Sequence, residues 1–207
     1  AKTARAFLKK IGTETPLQQL KLAELNEHTP VSAIDALLAP LLAGMDAGLL
    51  SEAGCPAIAD PGANLVRRAH EIGIPVRPLV GPSAILLALM GSGLTAQRFA
   101  FHGYLPAKAH ERIQALHELE RRAEREDAAQ AFIETPYRNR ALFESILAVC
   151  RPDTWLSLSR DLTLATEQVN SRRIADWNGH CPELDRHPCV FILWREPRKK
   201  PQHHAIL

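Results

Sequence analysis

No apolar run in this sequence approaches the ~20 residues that a bilayer-spanning helix needs. The longest, Ala84 to Met90, has the length of a buried helix and stops at Gly91. Charge of one sign is also lacking: 25 Lys and Arg against 23 Asp and Glu leave a net charge of +2. That is far short of the excess expected of a chain held mainly by nucleic-acid phosphates. Cys55, Cys150, Cys181 and Cys189 form no CxxC or metal-finger spacing, and the histidines form no HExxH or HxH set. No metal is therefore expected. No Walker loop, GxGxxG or GxSxG occurs, which argues against a P-loop, a dinucleotide fingerprint and a serine-hydrolase elbow. No signal peptide is evident either, so a reducing cytoplasm is the expected location and a membrane partner is not expected. The chain also opens without methionine, on Phe7, Leu8 and Ile11 at helical spacing and a stop at Gly12. An α/β domain rarely opens inside a helix, so a segment upstream of Ala1 is expected.

What is present reads as globular. The 207 residues are 46% hydrophobic and 23% charged, enough for one large or two small domains. Thr29-Pro30-Val31-Ser32 predicts a capped helix ending near Gly44. Gly48 to Ser51 predicts a short strand. Asp60-Pro61 predicts the opening of a helix that ends at Gly73. Ile74 to Val80 predicts the next strand, and residues 84–90 an apolar helix. Strands are expected at 98–101, 129–133, 154–159, 167–173 and 189–194. An amphipathic helix is expected over 109–125, and another from Pro136, capped by Thr135, to Cys150. Strands alternating with helices argue for α/β layers. A boundary near 103–108 divides the chain into an N-terminal α/β domain, 1–104, and a C-terminal one, 105–207. The latter is expected to hold a mixed sheet and a basic tail of Arg195, Arg198, Lys199 and Lys200.

Ligands of open α/β sheets sit at the carboxyl ends of strands. The polar and glycine-bearing segments collect there: Ser51-Glu52-Ala53-Gly54, Gly81-Pro82-Ser83, His102-Gly103-Tyr104, Glu134-Thr135 and Ser159-Arg160-Asp161. Each alone is ordinary turn chemistry. Five on one side of the expected strands point to a ligand cleft. Glu52 and Glu134 could form an acid–base pair and Cys55 could be a nucleophile, although a small loop residue is the plainer reading of Cys55. The chemistry that fits best needs little acid–base help. Methyl transfer from a sulfonium is such a reaction, because the leaving group is neutral and positioning supplies most of the rate.

These segments carry a resemblance. Ser51 to Gly62, reading S-E-A-G-C-P-A-I-A-D-P-G, is similar to the S-(D/E)-A-G-x-P-x-x-(S/A)-D-P-G stretch of the tetrapyrrole methylase superfamily, in particular its ribosomal RNA small-subunit methyltransferase I branch. Val80-Gly81-Pro82-Ser83-Ala84, Phe101 to Pro106, Phe132 to Arg138 and Ser159 to Thr163 resemble the motifs that follow, in order, over about residues 45–195. The resemblance implies an S-adenosylmethionine-dependent methyltransferase of class III: two α/β domains, the cofactor in the cleft between them, and a homodimer. It implies that Glu52, Ala53, Gly54, Cys55, Ser83 and Ala84 touch the cofactor's methionine part and ribose. Ile133, Thr135, Ser159 and Pro188 would line the adenine side. The family's opening strand and loop would lie upstream of Ala1, and where its ribosomal RNA members often carry K-G-E this chain has Arg186-His187-Pro188.

The acceptor expected from the resemblance is a ribose 2′-hydroxyl of ribosomal RNA, free or in a small-subunit particle. A tetrapyrrole or other small molecule is the alternative, and a non-catalytic cofactor- or RNA-binding protein a third. A ribose hydroxyl is a poor nucleophile and needs a base or an orienting cation. Glu134, Arg138 and Arg160 are the catalytic candidates, with Tyr104 beside them.

Overall fold

A computed structural model describes residues 2–51 and 54–197. Their contacts fall into two compact units that divide between Ser83 and Ala84.

The first unit contains the helices α1 (Lys2–Ile11), α2 (Val31–Leu42) and α3 (Ala63–Glu71). Its small core is Ile34 and Leu38 of α2 against Ala69 of α3, with Leu41, Leu65, Ile72 and Ile74 packed around them. Arg68 ties the two helices at the rim: its Nε donates to Asp35 Oδ1 at 2.7 Å and its Nη1 to Glu71 Oε2 at 3.1 Å. Helix α3 begins later than Asp60-Pro61 predicts, because its N-cap is Gly62 with φ +140°. A Cβ at this position would lie 2.8 Å from Leu49 Cδ2, so the backbone conformation and the close approach both require glycine.

The two strands expected in this half do not form. Gly48–Ser51 and Ile74–Val80 join no ladder among the described residues. A strand exists only through hydrogen bonds to a neighbour, and Pro75 and Pro78 remove two donors from the second segment. Leu79 and Val80 end it at 91% and 107% exposure.

The second unit is built on a five-stranded mixed sheet. Its elements are α4 (Ala84–Ser92), β1 (Phe99–Tyr104), α5 (Ala109–Glu126), β2 (Ala129–Glu134), α6 (Asn139–Val149), β3 (Trp155–Arg160), β4 (Gln168–Arg173), a 3-10 turn (Ile174–Trp177) and β5 (Cys189–Trp194). The strand order is β1-β2-β5-β3-β4. Strands β1 and β2 are parallel, joined through α5, and the remaining pairs are antiparallel. The last strand therefore inserts between β2 and β3. The segment after Arg98, expected on the N-terminal side of the boundary, pairs with β2 from Phe99↔Ala129 onward.

Both faces of the sheet are covered, and the two-residue alternation of each strand decides which side chain goes where. Phe132, Leu156, Leu158, Phe191 and Leu193 share a core with Leu116 and Leu119 of α5 and with Leu142, Phe143 and Ile146 of α6. Ala129, Ala131, Val190 and Ile192 point the other way and pack against Ala88 and Leu89 of α4. Burial on both sides explains why β5 reads Cys-Val-Phe-Ile-Leu-Trp with no polar alternation. Small residues let α4 come close. A Cβ on Gly91 would sit 3.3 Å from Val169 Cγ1, and Ser171 Oγ donates to Ser92 O at 2.6 Å.

Buried polar residues close the loops below. Glu120 Oε1 accepts from the Arg151 N–H and from Thr154 Oγ1, and Arg112 donates to Ser145 Oγ and Ala107 O. Helix α6 starts at Asn139 rather than Pro136, because Thr135 to Arg138 form a turn instead, with the Arg138 N–H on Thr135 O.

The Phe132 and Phe191 rings stack at 5.8 Å between centroids on adjacent central strands. Phe191→Ala is expected to cost about 3–5 kcal/mol through a cavity that two flanking strands cannot close. Urea unfolding of variant and parent measures this, and a midpoint shift worth under ~1 kcal/mol would contradict the packing account.

Candidate functional site at the strand ends

The carboxyl ends of β2 and β3 flank the first residue of β5, so three strand termini converge. Glu134 and Arg160 both stand opposite Cys189, one on each side. Register puts these three side chains on the α5/α6 face of the sheet. One residue back, Ile133 and Ser159 both pair with Val190 and point to the α4 face. The proposed catalytic carboxylate and arginine thus lie on the opposite face from the proposed cofactor contacts.

Glu134 is fully committed within the protein on one oxygen. Its Oε1 accepts from the Thr135 N–H and from Arg138 Nη2, each at 2.6 Å, and its side chain is fully buried. This pairing holds the Arg138 guanidinium above its ordinary range, chiefly through the hydrogen bond it donates to Glu134. Glu134 Oε2, Arg138 Nε and Asn139 Oδ1 are buried with no partner among the described residues. Arg160 donates from Nη1 to Glu183 O at 2.6 Å, and its Nε lies 3.9 Å from Asp161 Oδ2. On the α4 face, the hydroxyls of Ser157 and Ser159 are buried without a partner as well. Thr135 is half-buried, Pro188 and Ala84 are exposed, and Tyr104 is exposed opposite Ile133 at the end of β1.

In the first unit, Cys55 Sγ donates to Pro82 O at 3.7 Å, which joins the segment after Ser51 to the one that ends in Ser83. Gly54 is exposed with φ +77°, and Ser83 is half-buried. Glu52 and Ala53 lie outside the described residues, and so do Arg198, Lys199 and Lys200 of the expected basic tail. A hollow of about 220 Å³ in this unit is lined by Asn26, Thr29, Asp60, Gly62 and Asn64, so the Asp-Pro-Gly end of the first motif borders it. No group of three or more His, Cys, Asp or Glu suited to a metal occurs among the described residues.

Sequence reasoning missed one cluster. Asp161, 3% exposed just beyond β3, receives His187 Nδ1 at 2.7 Å and Thr166 Oγ1 at 2.9 Å on its Oδ2. His187 precedes β5 by two residues, and 25 intervening residues separate it from Asp161. The one signal was the replacement of K-G-E by an imidazole-bearing segment.

Two of the four cysteines are held as thiols by burial. Burial pushes the thiols of Cys150 and Cys189 up to about 12, and the carboxylates of Glu120 and Asp161 respectively add to the shift. At pH 8 roughly one in ten thousand of each is thiolate, the reactive form. A disulfide reagent at pH 8 is therefore expected to label exposed Cys181 first and half-buried Cys55 next. Cys150 and Cys189 should label only in denaturant, and rapid labelling of all four in the folded protein would overturn this.

No protein-family model matches the chain. Curated proteins do. The ribosomal RNA small subunit methyltransferase I of Escherichia coli O157:H7 is 36% identical over 156 residues, which is 75% of this chain and 53% of that protein. Its namesake from Pseudomonas aeruginosa is 34% identical over 194 residues, 90% of this chain and 64% of that protein. The chain thus spans between about half and two thirds of the length of these relatives. Among solved structures, the methyltransferase CobJ superposes with a TM-score of 0.57 at 19% identity, over 86% of this chain and 77% of that one. A uroporphyrin-III-C-methyltransferase from Thermus thermophilus gives 0.50 at 19%, over 86% and 75%. Such identities speak to the fold alone, and it is the mixed α/β fold described above. Motif order and sequence identity ally the chain with the ribosomal RNA small subunit methyltransferase I proteins, and its fold is that of the superposed methyltransferases.

Proposed function

We propose that this chain belongs to an S-adenosylmethionine-dependent methyltransferase whose acceptor is a ribose 2′-hydroxyl of small-subunit ribosomal RNA. The observation that carries the reading is its kinship, at 36% and 34% identity, with proteins named for methylating that RNA. Likeness to enzymes of tetrapyrrole chemistry rests on 19% identity and supports only the shared fold.

The chemistry asks little of the protein beyond placement. S-adenosylmethionine supplies a methyl group on a positively charged sulfur, and the acceptor oxygen must meet it in line. Ile133, Thr135, Ser159 and Pro188 are assigned to the adenine side. Their strand-end position and the free hydroxyl of Ser159 support this, since a buried hydroxyl without a protein partner is suited to a polar ligand. Ala84, exposed at the start of α4, is assigned to the ribose and methionine part, as are Gly54, Cys55 and Ser83, with Glu52 and Ala53. Glu134 serves to hold the turn through Thr135 and Arg138. Arg138, about two-fifths exposed, is left to orient a phosphate or hydroxyl of the acceptor. A homodimer in the cytoplasm completes the proposal.

Calorimetric titration with S-adenosylhomocysteine tests it. Micromolar binding is expected, weakened about tenfold or more, or ~1.4 kcal/mol, by Ala84→Trp at a site where the larger side chain does not disturb the core. Radiolabelled methyl transfer to small-subunit ribosomal RNA, but not to a tetrapyrrole, is the second expectation. Absence of binding would leave the kinship as one of fold.

A further inference from the structure

We propose that His187, oriented by Asp161, accepts the proton of the attacking hydroxyl; the proposal rests on the methyltransferase reading above. Before β5 this chain sets an imidazole against a buried acid.

The geometry is that of an oriented base. His187 Nδ1 lies 2.7 Å from Asp161 Oδ2, and the His187 side chain is about one quarter exposed while that of Asp161 is 3% exposed. A carboxylate only accepts, so Nδ1 carries the hydrogen and the neutral ring presents the Nε2 lone pair. Nε2 has no hydrogen-bond partner among the described residues. Two bonds fix the backbone beneath the ring, because Asn139 Nδ2 and Cys189 Sγ both donate to His187 O, at 2.7 and 3.5 Å. The carboxylate is fixed too. Asp161 adopts φ +53° and Thr163 φ +73°, a left-handed pair that is costly for a β-branched residue. Their loop is held by the Asp161 N–H on Pro188 O at 3.1 Å and the Thr163 N–H on Glu167 Oε2 at 2.6 Å. The dyad therefore bridges the end of β3 and the approach to β5, next to Ser159 and Pro188, two residues assigned to the cofactor.

The step balances. The hydroxyl proton passes to His187 Nε2 as its oxygen bonds to the methyl carbon. The carbon–sulfur bond breaks, the sulfur keeps the electron pair, and S-adenosylhomocysteine leaves. The imidazolium is stabilised by Asp161 and returns its proton to solvent. The charged groups facing the dyad are Arg160, whose Nε lies 3.9 Å from the same Asp161 Oδ2, and behind it Glu183, whose carboxylate lies 3.9 Å from Arg160 Nη1.

The test is single-turnover methyl transfer to small-subunit ribosomal RNA across pH, alongside calorimetry with S-adenosylhomocysteine. The base must be neutral, so the rate of the parent protein falls as acid protonates the ring. His187→Gln is expected to bind S-adenosylhomocysteine as the parent does, to lose about 10²–10⁴-fold in rate and to lose the acid limb of the profile. His187→Ala should regain part of its rate with added imidazole. Asp161→Asn should keep a circular-dichroism spectrum of the folded protein and lose the downfield Nδ1 proton resonance of His187. Binding retained with a rate within about threefold of the parent in His187→Gln would overturn the base while leaving the methyltransferase reading intact. Failure of the unaltered protein to bind S-adenosylhomocysteine would overturn both.

Discussion

The insertion of β5 between β2 and β3 is the constraint on which the second unit depends. The strand pairs along both edges and is covered on both faces, so its backbone polar groups find partners inside the sheet rather than in water. Its side chains then divide by parity. Phe191 and Leu193 join the α5/α6 core, and Val190 and Ile192 join α4. No other strand touches both halves of the sheet. The helices on either side are organised about a strand that arrives last in the chain.

That same insertion creates the candidate site. By starting at Cys189, β5 brings Glu134 and Arg160 into register on either side of one residue, and Ile133 and Ser159 into register one step further in. The parity that sorts the core also sorts the polar groups. A carboxylate and a guanidinium go to one face, and a hydroxyl and an isoleucine to the other. The segment leading into the strand crosses the end of β3, and this carries His187 to Asp161. Acid and imidazole from distant parts of the chain meet because one strand is threaded between two others.

Much of the second unit was legible before folding. The β-branched and aromatic run at 189–194, the charged helix over 109–125 and the alternating segments between them all formed within a residue or two of expectation, since each signal is local and each element is long enough to express it. The first unit was less so. Ile74 to Val80 has strand-like composition, but a strand needs a neighbour, and this one carries two prolines and finds no ladder among the described residues. Thr135 and Pro136 carry the marks of a helix start, yet the carboxylate of Glu134 claims the Thr135 N–H and a turn intervenes before Asn139.

Sequence alone carried the resemblance to the superfamily, because motif order survives where individual residues drift, and it put Tyr104, Glu134 and Arg160 at the ends of strands that do form, because strand and turn signals are local. Only the tertiary structure decided which of them meet. Glu134 and Ile133 are neighbours in the chain and face opposite sides of a sheet, whereas Asp161 and His187 are far apart in the chain and share a hydrogen bond. Side-chain direction depends on register, and register is set by strand pairing across long stretches of chain rather than by adjacent residues.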